Sequence, residues 1–186
     1  MVIGLLLLNS LVTIERNPTG FMHMIYFFSY WGSLFTLMSF TASIFAVSHP
    51  KYFQIPAVAL TECATAFNLV ITPLFWVLLA PNILEDWHTL EGFIDNIHYM
   101  TTHSIPLIST VFNLYYTPNF KFVTNDYWLV FKLGMMYISC NYVGTIAEGH
   151  PMYPYADWTN FWLTVLLYTI LAVIDALAFY FAAKKL

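Results

Sequence analysis

Five apolar stretches, each long enough to cross a bilayer, leave this chain little room for anything else. They run over residues 23 to 48, 55 to 81, 98 to 116, 127 to 147 and 159 to 183, where about 20 mostly apolar residues suffice for one crossing. The breaks SHPKYFQ, PNILEDWHTLEGFIDN, TPNFKFVTND and EGHPMYPYADW are rich in the Pro, Gly, Asn and Asp that end helices. A sixth apolar piece, residues 2 to 14, precedes ERNPTG and reaches only about 20 Å as a helix. It is a half-span, an interfacial helix or a span extended by polar residues. The expected fold is all-α, a polytopic transmembrane helix bundle of five spans plus a short N-terminal sixth, forming one domain over residues 1–186. Composition agrees, since only 9% of residues are charged, against about 25% in soluble domains.

Loop charge sets the expected orientation, because basic residues favour the cytoplasmic or matrix-like side. One set of alternate loops carries Lys51, Lys121, Lys184 and Lys185 against Asp126. The other carries Arg16 against Glu15, Glu85, Asp86, Glu91, Asp95, Glu148 and Asp157. The C-terminus is expected on the positive side. The opening MVIGLLLLNSLVTIE lacks a basic leader region and reads as mature sequence. Cys63 and Cys140 fall inside apolar stretches, with no disulfide framework or zinc motif.

Ionisable groups at membrane depth mark bundle interiors or cavities. Glu62, Lys132 and Asp175 qualify, all near the positive side. They form one buried polar cluster, or Lys132 snorkels outward and the acids stand alone. In the opposite half, NIHYMTTHSIPL (96–107) holds His98, Thr101, Thr102 and His103. A threonine becomes a nucleophile only beside a base, and Thr36, near the middle of the first long span, is the candidate. Its bland alternative is a hydrogen bond to the carbonyl one turn back. His98 and His103 lie about 140° apart on a helix, too far round for two ligands of one metal. No metal and no cofactor are expected.

Several segments resemble the androgen-inducible membrane proteins, six-span proteins that hydrolyse fatty acid esters of hydroxy fatty acids with a threonine and a histidine. WGSLFTL (31–37) is similar to the stretch that ends in their nucleophile, which implies that role for Thr36, although their lysine is missing. Anchored on Pro106, NIHYMTTHSIPL is similar to their histidine helix. His98 falls on the first histidine, while Thr101 occupies the place of the second, catalytic one. Tyr137-Ile138, Gly149 and Tyr153-Pro154-Tyr155 match motifs at the same separations, and Asp175 matches an acid on the last helix.

The resemblance therefore implies a catalytically degenerate member, acting as a structural or accessory subunit of a larger membrane complex such as a mitochondrial respiratory-chain assembly. The alternative is an active hydrolase using Thr36 with His98 as recruited base. A third class, transport, is motivated by Glu62, Lys132 and Asp175. Expected partners are membrane lipid and other membrane subunits, with no nucleic acid. Mitochondrial inner membrane and endoplasmic reticulum are not distinguished.

Overall fold

A computed structural model describes residues 21–84, 87–117 and 120–185. The expected short span at 2 to 14, together with Glu15, Arg16, Glu85 and Asp86, lies outside the described residues. Every regular element among the described residues is helical. A single turn, α1 (Phe21–Met24), leads to α2 (Phe28–Ser48) and α3 (Pro50–Leu74). A π turn, Phe75–Leu79, continues α3 into α4 (Ala80–Ile83). Then follow α5 (Leu90–Tyr115), α6 (Tyr127–Glu148) and α7 (Phe161–Lys185).

Four of these helical stretches, Phe28–Ser48, Pro50–Ile83, Thr124–Glu148 and Trp158–Phe181, are long and apolar enough to cross a membrane. The protein is thus an all-helical integral membrane protein. The 26 residues of α5 would also reach across, but Asn96, Thr102, Ser109 and Thr110 are buried on its inner face. The hydroxyls of Thr102, Ser109 and Thr110 bond carbonyls one turn back within α5 itself.

Two boundaries differ from expectation. The segment SHPKYFQ is nearly all helix, with His49 alone linking α2 to α3, because proline is compatible with the first helical turn. Likewise α5 begins at Leu90 rather than 98. Thr89 caps it by accepting the Gly92 N–H at 3.0 Å, so an acidic first turn extends the helix beyond the apolar run.

Small residues let α2 and α3 approach closely. Ser29, Gly32, Ser33, Thr36, Ser39 and Ala42 form the buried side of α2, the small-residue seam common between membrane helices. Ser39 and Thr61 hydroxyls hydrogen-bond across it at 2.6 Å. A Cβ on Gly32 would collide with Asn68 and Ile71. Behind this seam, Phe67 packs against Phe28 and Phe35 with ring centroids 5.2 and 5.4 Å away. Pro73 removes a backbone donor just before the π turn, where a wider winding accommodates the interruption.

The hairpin runs past the connection from α5 to α6, and α7 does the same: its Phe179 packs on Phe122 of that connection at 5.5 Å and the helix continues to Lys185. Val123, in the connection from α5 to α6, donates its N–H to Glu62 Oε1, which puts that connection level with Glu62. Twelve residues separate Pro50 from Glu62, so the tip projects about 18 Å farther at about 1.5 Å per residue. Its exposed side chains are mixed, with Val47 and Ile55 at 87% and 81% exposure beside Ser48, His49, Lys51 and Gln54.

Candidate functional site

Helix α5 supplies one wall of a cavity of about 320 Å³, through His98, Tyr99, Thr102 and His103. Opposite stand His23, the start of α2 at Ser29 and Tyr30, and Tyr153. Although His98 and His103 are separated by five positions, both reach this space because the cavity wraps around the side of α5. His103 is fixed on all sides. Its Nδ1–H donates to Tyr99 O at 2.8 Å, its carbonyl accepts from Thr72 Oγ1 at 2.6 Å, and its ring stacks on Phe75 of the π turn at 3.9 Å. With Nδ1 donating, Nε2 is left as an acceptor in the neutral ring. His23 Nε2 stands 3.9 Å from Glu148 Oε1.

Thr36 does not share this cavity. It is 0% exposed, and its hydroxyl donates to Gly32 O at 2.7 Å while accepting from Asn68 Nδ2 at 2.9 Å. Seven residues separate it from the cavity-lining Ser29, about 10 Å along the helix axis. Thr101, which the resemblance put at the catalytic position, is partly buried and is not among the residues lining the cavity. The structure therefore places the candidate nucleophile in the α2–α3 seam and the candidate base in a separate chamber.

At the other end, the expected buried cluster loses its basic member. Glu62 and Asp175 are buried at 0% and 6% exposure, whereas Lys132 is exposed. The buried face of α6 runs through Val130, Tyr137, Asn141 and Gly144, and Lys132 lies two residues from Val130, about 200° round the helix. In its place Glu62 meets the Val123 N–H and the nearby Asp126 carboxyl. The three acids Glu62, Asp126 and Asp175 lie close enough to Cys63 to act on it electrostatically.

Asn141 is the polar hub that sequence reasoning missed. Its Oδ1 accepts from Trp158 Nε1 at 2.9 Å and Tyr168 Oη at 2.8 Å. Its Nδ2 donates to Tyr26 O at 3.2 Å and Tyr137 Oη at 3.3 Å. A lone asparagine inside an apolar span was the available signal, since such a group must find partners inside the bundle. The connection after α6 folds back over the hub. Gly149 ends the helix at φ +73°, a left-handed conformation that suits glycine. Beyond it, Tyr153 Oη accepts the Phe28 N–H at 2.9 Å.

Burial pushes the Tyr153 phenol from its ordinary value near 10 up to about 12, with Tyr155 shifted in the same direction by burial and then by the neighbouring phenols. A raised folded-state value means the proton is held more tightly in the folded chain. That contribution to stability is complete below pH 10 and is lost as pH rises through about 12. Thermal unfolding in micelles is expected to weaken over that window, and Tyr153→Phe is expected to flatten the decline.

These features define a helical membrane protein with a cavity lined by histidine, tyrosine and serine side chains among apolar ones. No family model, no curated protein and no solved structure matches the chain. Among the described residues, no group of three or more His, Cys, Asp or Glu side chains is placed to hold a metal ion.

Proposed function

We propose that this chain is a non-enzymatic accessory subunit of a larger membrane assembly, a degenerate form of a six-span lipid-hydrolase pattern. Its C-terminus, with Lys184 and Lys185, lies on the cytoplasmic or matrix-like side. The observation that carries this reading is the projecting tip of the α2–α3 hairpin. From Pro50 to Ile83 the helix has 34 residues, about 50 Å of length against a hydrocarbon core of about 30 Å. Open apolar side chains such as Ile44, Val47 and Ile55 stand past the α5–α6 connection, where a protein partner's apolar face would cover them. The buried hydroxyl of Thr36, held by two hydrogen bonds, argues in the same direction, because a nucleophile needs a base and access for its substrate.

The test uses the chain in its native membrane. The wild type is expected to migrate in mild detergent within an assembly of fixed stoichiometry. The double variant Val47→Lys, Ile55→Lys is expected to drop out of it with its own thermal stability altered by no more than about 0.5 kcal/mol, as is usual for exposed positions. A chain that migrates alone overturns the proposal. So does hydrolysis of fatty acid esters of hydroxy fatty acids by the purified protein that disappears in Thr36→Ala.

A further inference from the structure

The chamber beside α5 is built from side chains that carry no fixed charge. Among the described residues that line its volume of about 320 Å³, none is Asp, Glu, Lys or Arg, and an unpaired charge brought into such surroundings is costly. A ligand suited to it is therefore uncharged. The volume falls at the small end of ligand pockets, about 300–1,000 Å³, which is room for one ring with short substituents.

One wall is a continuous aromatic set. Phe27 meets His23, Tyr30 and Tyr153 with ring centroids 5.1, 6.2 and 5.8 Å away, each edge to face, and all four residues line the chamber. Across from them stand Tyr99 and His103 on α5. A flat ring gains stacking or edge contacts between two such walls, which an aliphatic group does not.

The polar groups on the two walls call for hydrogen-bond donors. His103 has committed its Nδ1–H to Tyr99 O, so the neutral ring has only Nε2, an acceptor, left to offer. His23 holds Nε2 3.9 Å from Glu148 Oε1. A carboxylate only accepts, so it favours the hydrogen on Nε2 and leaves Nδ1 as the acceptor of the neutral ring. That Nδ1 is buried and has no hydrogen-bond partner, a state that needs a donor to relieve it. The chamber also reaches the surface. Ile83, at the end of α4, and Tyr99 both line it and are 37% and 36% exposed, so an apolar tail on the ring would leave between α4 and α5 into lipid.

We propose that the chamber binds a lipophilic para-hydroquinone. The ring lies between the aromatic walls, its two O–H groups donate to His103 Nε2 and His23 Nδ1, and its tail passes between Ile83 and Tyr99. Binding is non-covalent, with no transfer of protons or electrons. This role goes beyond the accessory reading and does not depend on it.

The experiment titrates the purified full chain in nanodiscs, under argon, with a decyl-substituted para-hydroquinone, and reads the heat against empty nanodiscs. One molecule per chain is expected to bind above that background. The matching para-quinone and the di-O-methyl ether keep ring and tail but lack O–H donors, and both are expected to bind roughly 10- to 100-fold more weakly, because the buried acceptors stay unmet. A ringless decyl diol is expected to bind about tenfold more weakly through loss of the ring contacts. His23→Phe and His103→Phe are each expected to lose about tenfold in affinity, and the exposed Lys132→Gln to keep wild-type binding. The comparison of ligands uses the wild type alone, so it decides the matter even where a histidine variant fails to fold. Heat no greater than in empty nanodiscs, equal affinity for the hydroquinone and its dimethyl ether, tighter binding of the diol, or wild-type affinity in both histidine variants would each overturn the proposal.

Discussion

Asn141→Leu lowers the unfolding free energy of the protein by roughly 2 to 4 kcal/mol, the larger of two expected stability effects. Leucine is close to asparagine in size, so the change is mainly one of hydrogen bonding. It removes the acceptor of Trp158 and Tyr168 and a donor to Tyr26 O and Tyr137. Single interhelical bonds in membranes average only about 0.6 kcal/mol, because the dissociated helix also finds partners. Here one side chain joins α6 to the segment before α2, to the turn that precedes α7 and to α7 itself, so several groups lose their partner together. Detergent-induced unfolding, followed by far-ultraviolet circular dichroism, measures the loss. A change below the value for one ordinary bond would show that water replaces the amide.

Phe67→Ala is expected to cost about 2 kcal/mol, less than the 3–5 kcal/mol of such a truncation in a soluble core. The difference has a physical origin. In water, burying phenylalanine gains transfer energy as well as packing, whereas lipid tails solvate an aromatic ring nearly as well as a protein interior does. The remaining term is the void and the lost contacts with Phe28 and Phe35. The same unfolding titration in detergent and in bicelles checks the figure. A loss of 3–5 kcal/mol would mean that the ring is transferred from water during folding.

The helices were legible because runs of apolar residues and their Pro, Asn and Asp terminators carry the membrane's length requirement directly. Their ends were less legible. At Leu90 a threonine cap and an acidic first turn prolong α5 through residues that hydropathy reads as loop, and at Pro50 a residue counted as a breaker opens a helix. Among site residues, the depth of Glu62 and Asp175 was visible in the sequence, while the outward turn of Lys132 required knowing which face of α6 holds Val130 and Tyr137. A search for ionisable groups also passes over Asn68 and Asn141, neutral side chains that nonetheless organise the interior. The separation of Thr36 from His98 could not be read at all, since it depends on the vertical register between α2 and α5.

The missing side chain at Gly32 makes room for Asn68 and Ile71, and through Asn68 it governs the bond that holds Thr36. Space in this seam is a shared property of two helices, so the positions cannot vary independently. In a chain descended from the same ancestor, enlargement at 32 would have to be matched by shrinkage at 68 or 71. Pairwise substitution at these three positions would then trace the hairpin through lineages in which the rest of the sequence has drifted beyond recognition.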